Sequence, residues 1–349
     1  MVVDHPIVSI IIPHWNGIEI LSECIESLIK TNFYSYEIIV VDNASTDGSQ
    51  SWIKENHPTI KLLENDSNYG YAGGCNRGSE IARGKYLVFL NNDTIQDPKW
   101  LDFLVEGIEK ENDIAAIQPK IMNYYNNKIF DYAGGSGGAM DILCYPFARG
   151  RVFLNQEQDK GQYDNPEECF WASGTAIMVK KDLFILAGKF DEIFFAHMEE
   201  IDLCWRLQAM GYKIWVNPSS IIFHKNAVTM PMYTHRKYYL NHRNSLLMIF
   251  SNYSFPVSIY LGTIRIVFEF IAIGYALVNL DIHHMTAIIR SIGWMVFHPI
   301  ILIKKRLRFN AIRKIKDRDI FNNLCRKPIV IAYYLLNKKT YSDIVSKAD

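Results

Sequence analysis

The sequence predicts an α/β fold with a doubly wound, mostly parallel sheet. Short apolar runs recur through roughly the first 120 residues, and segments with the apolar spacing of amphipathic helices lie between them. Nearly continuous apolar runs are typical of strands that are buried on both faces of a parallel sheet. Strands of this kind that alternate with helices indicate the doubly wound class, and a chain of 349 residues is long enough to form it.

The predicted strands are separate apolar runs along the chain. They are Val8–Pro13, Tyr36–Val41, Ile60–Leu63, Tyr86–Leu90, Ile114–Ile117 and, later, Lys213–Val216. Helices are predicted at Ile18–Ile29, from Ser49 onward and near Glu199–Met210. Residues 121–170 contain a glycine-rich stretch and no strong helical pattern.

Polar clusters follow the first four predicted strands. They are His14–Gly17, Asp42–Asp47, Asn65–Gly74 and Asn91–Asp93. Turn chemistry explains any one of them taken alone. Because ligands of open α/β sheets bind beyond the carboxyl ends of the strands, four clusters at one edge indicate a shared binding site. The first cluster is not a GxGxxG fingerprint and the sequence has no P-loop motif, which disfavours a dehydrogenase and a P-loop enzyme.

The composition disfavours one broad class of protein and says little about the others. Lys and Arg together number 37, as do Asp and Glu, so a globally basic nucleic-acid-binding protein is disfavoured. The six cysteines form neither a CxxC pair nor a zinc-binding spacing. They are therefore predicted to be buried, reduced thiols.

The last hundred residues are predicted to be helical and amphipathic. Phe255–Ile303 is rich in large apolar residues, but its uncharged runs, of 11 and 13 residues, are shorter than the roughly 20 that a transmembrane helix needs. Lys304–Arg318 carries eight basic residues and one acid. We expect helices that lie in or on a membrane surface, with the basic run facing anionic head groups. A strained span over residues 255–280, a soluble helical subdomain and a dimer interface are the alternatives.

Six motifs appear in the order in which a known family carries them. They are VSIIIPHWNG, IIVVDNASTDGS, NYGYAGGCNRG, YLVFLNNDT, FWASGTAIMV and HMEEIDLCWR. Over about residues 7–250 the chain thus resembles the inverting family 2 glycosyltransferases of the GT-A fold, and within them the bacterial rhamnosyltransferases of cell-wall and O-antigen assembly. The resemblance implies sugar transfer, with L-rhamnose from dTDP-L-rhamnose as the first expectation and UDP-galactose or UDP-N-acetylglucosamine as alternative donors.

The resemblance also implies which strand-end residues bind the donor. The residues expected at the base and ribose are Pro13, Asn16 and Asp42, with Asn43 and Asn68 nearby. Those expected toward the nucleotide and diphosphate are Gly70, Gly73, Asn76, Arg77, Asn91 and Asn92. The residue types suit the role, because a buried carboxylate accepts hydrogen bonds from a base or ribose and glycine lets the backbone approach a ligand.

A divalent cation, Mg²⁺ or Mn²⁺, is the cofactor that the resemblance implies. NNDT takes the position of the family's DXD motif, whose acidic oxygens hold the cation against the donor diphosphate. Asn91 replaces the first acid, so Asp93 is the predicted direct ligand. Some members place a metal-binding histidine about two dozen residues after the catalytic acid, and His224 lies 24 positions after Glu200. A turn cap at Asp93 and a structural His224 are the alternatives.

The predicted catalytic base lies in HMEEIDLCWR. The family's base is the second residue of its acidic pair, which is Glu200 here, although the family has Asp; Glu199 and Asp202 are the alternatives. One carboxylate suffices for inversion, because it takes the proton of the acceptor hydroxyl as that oxygen attacks the anomeric carbon. Acidic residues at a helix start also suit the helix dipole without any catalytic role. The acceptor is expected at Trp171, Ser173 and Gly174, although Trp171 is also a candidate core residue.

These expectations define an organisation and a set of partners. Residues 1–120 form the nucleotide-sugar-binding half, residues 121–250 the acceptor-binding and catalytic half, and residues 251–349 the membrane-associated region. The expected partners are a nucleotide sugar, a glycan or polyprenyl-diphosphate-linked acceptor and a membrane surface, but no nucleic acid. The expected location is the cytoplasmic face of the cell membrane, as a peripheral or monotopic protein. Because Asn91 lacks a charge, a catalytically inactive nucleotide-sugar-binding scaffold is the main alternative.

Overall fold

The computed structural model describes residues 5–225 and 234–345. Its strands are β1 Val8–His14, β2 Tyr36–Asp42, β3 Lys61–Glu64, β4 Tyr86–Leu90, β5 Thr94–Gln96, β6 Ile114–Asn123, β7 Gly138–Met140, β8 Pro146–Ala148, β9 Arg151–Val152, β10 Asn155–Gln156, β11 Glu167–Glu168, β12 Ala176–Lys180 and β13 Lys213–His224. Its helices are α1 Ile18–Leu28, α2 Ser49–Asn56, α3 Gly70–Ile81, α4 Trp100–Glu109, α5 Lys181–Leu186, α6 Glu199–Ala209, α7 His235–Asn252, α8 Phe255–Val278, α9 Ile282–Phe297, α10 Pro299–Ile312, α11 Asp317–Ile320, α12 Ile329–Tyr334 and α13 Tyr341–Ile344. A 3₁₀ turn, Glu192–Phe194, precedes α6.

The central sheet confirms the predicted mixed, mostly parallel α/β class. Its strand order is β11-β13-β6-β12-β4-β1-β2-β3, and β5 pairs with β13. Within the described residues, six of its strands (β1, β2, β3, β4, β6 and β13) run in one direction, whereas β5, β11 and β12 oppose them. β6 passes through the predicted boundary at residues 120 and 121, so the two predicted halves share one sheet.

Alternating residues of the central strands face two separate apolar cores. Ile11 and Phe89 belong to the core that also contains residues of α3 and α6. Ile10 and Val88 belong to the core formed with α1 and α4 on the opposite face. Burial on both faces is why these strands appear in the sequence as continuous apolar runs.

Three elements differ from the sequence prediction in ways that matter for the site. β6 extends past Ile117 to Asn123, and β13 extends past Val216 to His224 across a bulge. α3 begins inside the polar cluster after β3, where repeated glycines hide the helix because glycine has low helix propensity. One of them is required by packing, since a Cβ at Gly78 would lie 2.5 Å from Ile11 Cγ2.

The C-terminal helices α7 to α10 pack on one another, and α7 and α10 also pack on α6. Within the described residues, α8 is long and apolar enough to cross a membrane, judged by length and composition alone. α9 and α10 would form a second such segment, but a bend of 75° separates them. The uncharged runs of the sequence indicated too short a length for the apolar helix α8. They are interrupted by Arg265 and Glu269, which lie on the buried face of α8 and pair there at 2.8 Å.

The basic run after residue 303 requires a correction. Lys305 is buried, and its Nζ lies 2.8 Å from Asp191 and 2.9 Å from Asp202. Arg306 donates hydrogen bonds to backbone carbonyls at the end of α7, and Arg313 pairs with Asp317. These three cations stabilise the fold and are not oriented toward solvent as a uniform basic surface requires.

Candidate active site

A cavity of about 1200 Å³ lies between the carboxyl ends of the sheet strands and the C-terminal helices. Most predicted site residues line it, namely Pro13, Asn43, Asn68, Gly70, Asn91, Asn92, Asp93, Trp171, Ser173, Gly174, Glu199, Glu200 and His224. The predicted residues that do not line it are Asn16, Asp42, Gly73, Asn76, Arg77 and Asp202. The polar clusters of several strand ends therefore meet at one space.

Asp93 and His224 are brought together by strand pairing. β5 is antiparallel to β13, and the register places His224 opposite Thr94, the residue after Asp93. His224 Nε2 lies 3.1 Å from Asp93 Oδ1, and His224 Nδ1 lies 2.8 Å from Asp131 Oδ1. All three side chains are buried. Burial opposes protonation of the imidazole, but the two carboxylates raise the pKa of His224 to about 10.

This group fits a divalent cation, which would displace the proton between Asp93 and the His224 imidazole and take its remaining ligands from a substrate. Asp93 Oδ1 is buried and makes no hydrogen bond with the part of the chain that the structure describes, even though His224 Nε2 lies 3.1 Å away. Asp131 contacts the other ring nitrogen of the imidazole, as carboxylates commonly do behind metal-binding histidines. Among residues 5–225 and 234–345, no three His, Cys, Asp or Glu side chains are placed to share one ion. Asp93 and His224 would thus supply two ligands, and substrate phosphates commonly supply others.

Asn92 links the ends of β4 and β1. Its amide Nδ2 donates to His14 Nδ1 at 2.9 Å, and His14 Nε2 is 2.9 Å from Ser49 Oγ. Burial lowers the pKa of His14, which suits a neutral imidazole that accepts this bond. The adjacent Asn91 has its Nδ2 3.5 Å from His224 Nε2, so the residue that replaces the family's first acid still borders the Asp93 group.

Glu199 and Glu200 begin α6 and face the same cavity. Glu199 Oε2 and Glu200 Oε2 are both buried without a hydrogen-bond partner among the described residues. Burial raises the pKa of Glu200 to about 7, although backbone N–H groups that include those of Gly174 and Ile201 favour its ionised form. Burial, together with the charge of Glu200, raises the pKa of Glu199 well above its usual range. The pair therefore offers a proton acceptor that is active near neutral pH.

Asp42 and Asn16 organise the loop beside the cavity. Asp42 is buried at the end of β2, where its Oδ2 accepts from Ser45 N at 3.0 Å and from Gln50 Nε2 at 2.7 Å. Its Oδ1 has no partner among the described residues. Asn16 Oδ1 accepts from Thr46 N at 2.9 Å. Both side chains thus fix the turn after β2, and one oxygen of Asp42 is left for another donor.

The predicted diphosphate-side residues of α3 make internal contacts. Asn76 is buried, and its amide bonds both the carbonyl and the N–H of Phe190, at 2.9 and 3.0 Å. The Arg77 guanidinium stacks on Tyr69, 3.6 Å from the ring centre. A Cβ at Gly73 would lie 2.7 Å from Tyr69 Cβ. These contacts hold α3 in place and do not themselves reach the cavity.

Comparison with known proteins agrees with this geometry. The profile of glycosyl transferase family 2 matches residues 9–183, which is half of the chain. The chain belongs to glycosyl transferase family 2. The match ends before Glu199 and His224, so the second half of the active site rests on the structure and on the motifs of the sequence.

Three known proteins illustrate the similarity. The glycosyltransferase GlyG of Streptococcus pneumoniae serotype 4 is 25% identical over 224 residues, which are 62% of this chain and 67% of GlyG. The N-acetylglucosaminyl-diphospho-decaprenol L-rhamnosyltransferase of Mycobacterium tuberculosis is 24% identical over 204 residues, or 54% of this chain and 66% of that protein. The mannosyltransferase PcManGT from Pyrobaculum calidifontis, solved with GDP-Man and Mn²⁺, superposes with a TM-score of 0.52 and 16% identity over 91% of this chain and 87% of its own. The last similarity concerns the fold, and the predicted GT-A class is confirmed.

In this glycosyltransferase, Asp202 faces away from the cavity. Its carboxylate accepts from Arg206 Nε at 2.8 Å, from Lys305 Nζ at 2.9 Å and from Asn252 Nδ2 at 3.0 Å. Although burial opposes ionisation, Lys305 and Arg206 hold the pKa of Asp202 down to about 2. A carboxylate held in this way by two cations is a poor proton acceptor, so the geometry favours Glu200 and Glu199 as candidate bases.

The loop that delivers Glu199 and Glu200 is held by α7. Phe195, His197 and Met198 all have positive φ angles, which are unfavourable for residues other than glycine. Asn244 Nδ2 donates to the carbonyls of Phe194, Ala196 and His197 at 3.2, 3.0 and 2.6 Å. Arg243 Nη1 donates to Ile193 O at 2.6 Å. We call these two residues the α7 clamp, because they satisfy the backbone of a strained loop next to the acidic pair.

The predicted acceptor residues line the cavity through structural contacts. Trp171 is buried, donates from Nε1 to Ala139 O at 2.8 Å and covers Gly138. Ser173 Oγ donates to Ala133 O at 2.6 Å. The Tyr71 hydroxyl donates to Gly174 O at 2.5 Å, and a Cβ at Gly174 would lie 3.6 Å from Glu200 Cδ. Their acceptor-binding role stays a prediction.

Sequence reasoning missed several residues that line or support the cavity. No spacing in the sequence relates Asp131 to His224. Asp131 is positioned by an isolated β-bridge between Met122 and the preceding residue, Phe130. Arg151 and Lys237 also line the cavity and were not singled out. The clamp residue Asn244 looks, in the sequence, like an ordinary polar position on a helix.

Proposed function

We propose that this glycosyltransferase transfers a sugar from a nucleotide-sugar donor to a hydroxyl of a glycan or lipid-linked saccharide, with inversion at the anomeric carbon. The observation that carries the proposal is the shared cavity of the Glu199–Glu200 pair and the Asp93–His224 pair. Residues 1–120 would bind the donor, residues 121–250 would hold the acceptor and the base, and residues 251–349 would approach the membrane.

Glu200 would act as the base. As the acceptor oxygen attacks the anomeric carbon, its proton passes to the free Glu200 carboxylate oxygen and the nucleoside diphosphate leaves. Glu199, whose pKa is raised by burial and by the charge of Glu200, would stay protonated beside it. Held by Asp93 and His224, Mg²⁺ or Mn²⁺ would supply positive charge to the leaving diphosphate. Tyr71, through Gly174, would keep the backbone beside Glu200 in place.

L-Rhamnose from dTDP-L-rhamnose is the first proposed donor. It is supported by the sequence motifs and by the similarity to the mycobacterial L-rhamnosyltransferase, at 24% identity. UDP-galactose and UDP-N-acetylglucosamine are the next donors to compare. The test is Mn²⁺-dependent release of nucleoside diphosphate from a panel of nucleotide sugars, offered with glycan and lipid-linked acceptors. Binding of a nucleotide sugar without release, for every acceptor, would support the inactive scaffold that Asn91 suggests.

The rate of transfer is expected to rise with pH and to level off above about pH 7, because a base with a raised pKa is ionised only above it. The measurement is kcat with saturating substrates across about pH 5 to 9. Nucleoside diphosphate affinity, measured over the same range, is the control for effects on donor binding. A rate that stays flat from acid to alkaline pH would count against Glu200 as the base.

The C-terminal helices are proposed to rest on the cytoplasmic face of the cell membrane. Large apolar side chains are exposed along α8 and after it, and Val278 and Leu280 are 83% and 80% exposed. Exposed apolar patches of this kind mark interaction surfaces. Removal of residues 255–349 is a poor test, because Lys305 pairs with Asp202 and Arg306 caps α7.

A surface double variant tests membrane binding without disturbing the fold. Val278→Glu with Leu280→Glu is expected to abolish co-flotation with anionic phospholipid vesicles, because charged side chains are costly in the hydrocarbon region. The matched control is Tyr34→Glu, since Tyr34 is 84% exposed and lies in the N-terminal part of the chain, just before β2. Co-flotation of the double variant at the level of the unmodified protein would contradict membrane contact through this end of α8.

A further inference from the structure

Arg151 is a buried cation, and the acid whose charge acts on it, Asp131, is paired with His224 instead. It lies in β9, is 8% exposed and lines the cavity. Its Nε is buried with no hydrogen-bond partner, and within residues 5–225 and 234–345 its guanidinium makes no ion pair. A buried guanidinium with an unbonded N–H and no ion pair is unfavourable, which indicates that a ligand completes the site.

Lys237 lies on the same wall of the cavity. The Arg151 guanidinium is 4.8 Å from the centre of the Tyr132 ring, and Lys237 Nζ is 5.9 Å from it. Burial and the charge of Arg151 both lower the pKa of Lys237, as expected when two cations are close. Two cations beside one ring form a site for an anion with several oxygens, because guanidinium groups bind phosphates with paired hydrogen bonds.

The position of Arg151 along the cavity indicates which anion. On one side, Tyr132 follows Asp131, which contacts His224. On the other side, Phe153 lies two residues after Arg151 in the chain. The centre of the Phe153 ring is 5.0 Å from the ring centre of Tyr333 and 5.6 Å from that of Tyr334. Arg151 is therefore at the junction between the polar end of the cavity and the end formed by α8 and α12.

The α8–α12 end of the cavity is apolar and opens at the surface. Its lining residues are Phe268, Ile271, Ala272, Val330, Ile331 and Leu335. The ring centres of Tyr275 on α8 and Tyr334 on α12 are 6.3 Å apart there. Leu335 is 77% exposed, so the lining continues into an exposed apolar surface. Carboxylates, cations and apolar side chains thus follow one another along a single cavity.

We propose that Arg151 and Lys237 bind the diphosphate of a prenyl-diphosphate-linked acceptor, with the prenyl chain between α8 and α12. The inference rests on the proposed function and adds to it the subsite that recognises the acceptor. The order of the lining matches such a molecule, which carries a sugar hydroxyl for Glu200, then phosphates, then an apolar chain. A donor nucleotide carries the same diphosphate chemistry but has no apolar part to occupy the α8–α12 end.

The test compares three probes on the full chain in detergent. Farnesyl diphosphate, farnesol and dTDP with Mn²⁺ are each titrated into the unmodified protein and into Arg151→Gln. Arg151→Gln is expected to weaken farnesyl diphosphate binding by about tenfold to a hundredfold, because hydrogen bonds to charged groups are the strong ones. Binding of farnesol and dTDP should not change. Arg318→Gln, which removes a cation from an exposed position after α10, is the matched control.

Each other outcome has a defined meaning. Unchanged farnesyl diphosphate binding in Arg151→Gln, or no binding to the unmodified protein, overturns the proposal. An equal loss of dTDP binding overturns it as well, because the cations would then serve the donor. Arg151-dependent binding in a protein that transfers no sugar would support the subsite and contradict the proposed function instead. Arg151→Gln should also melt close to the unmodified protein, because the guanidinium makes no ion pair with the described residues; a clear drop would indicate a structural role and count against the proposal.

Discussion

Replacing Glu200 with glutamine is expected to lower kcat by a factor of about 10² to 10⁴. Glutamine has nearly the same shape but cannot take up the proton of the acceptor hydroxyl. Because the substitution leaves the Asp93–His224 pair untouched, dTDP affinity should stay within about twofold, a free-energy change of less than about 0.5 kcal/mol. Steady-state transfer rates and nucleotide titrations measure the two effects separately.

Two further variants make the Glu200 result specific. Glu199→Gln removes the neighbouring acid of the pair, and a larger loss there than in Glu200→Gln would assign the base to Glu199. Glu106→Gln changes an exposed acid on α4 and should leave kcat unchanged. Near-normal turnover by Glu200→Gln would remove this residue from the proposed mechanism.

Replacing Asp93 with asparagine is expected to weaken Mn²⁺-dependent binding of dTDP by about tenfold to a hundredfold, in line with the loss of a charge-assisted contact. Asp93 supplies the only carboxylate of NNDT, since Asn91 and Asn92 carry no charge. The variant leaves His224 bonded to Asp131, so the fold around the imidazole should persist. Titration of dTDP with Mn²⁺ and with excess EDTA measures the metal-dependent part of the affinity.

Asp182→Asn is the matched control for Asp93→Asn. Asp182 is an exposed acid in the first turn of α5 and does not line the cavity. The control should bind dTDP as the unmodified protein does, with and without Mn²⁺. If Asp93→Asn keeps the full difference between Mn²⁺ and EDTA, the metal lies elsewhere or is not used.

Much of the fold and of the site could be predicted because strand periodicity is a local signal. The four polar clusters were found because each directly follows an apolar run, and the family resemblance then assigned the metal to Asp93 in the fourth. Asp93 and His224 are far apart in the chain, and family spacing supplied the link that the β5–β13 register then explains. Local sequence patterns do not reveal contacts between distant parts of the chain, which is why Asp131 and Arg151 were missed.

The failures in the C-terminal region have the same cause. Charge in a sequence does not say which way a side chain points, so Lys305 and Arg306 were assigned to a basic surface although they contact Asp202 and backbone carbonyls. Likewise, Arg265 and Glu269 shortened the uncharged runs, although they pair on the inner face of α8. Both corrections depend on contacts between residues that only the folded chain brings together.

The α7 clamp limits how this enzyme can be recombined with its relatives. Arg243 and Asn244 hold the loop before Glu199, and Lys305 holds Asp202. The acidic pair and the helices that follow it therefore have to be exchanged together, because the helices cannot be separated from the catalytic residues. A chimera designed to change the acceptor should carry residues 190 to 312 as one block, because a junction inside it would separate the carboxylates from the side chains that orient them.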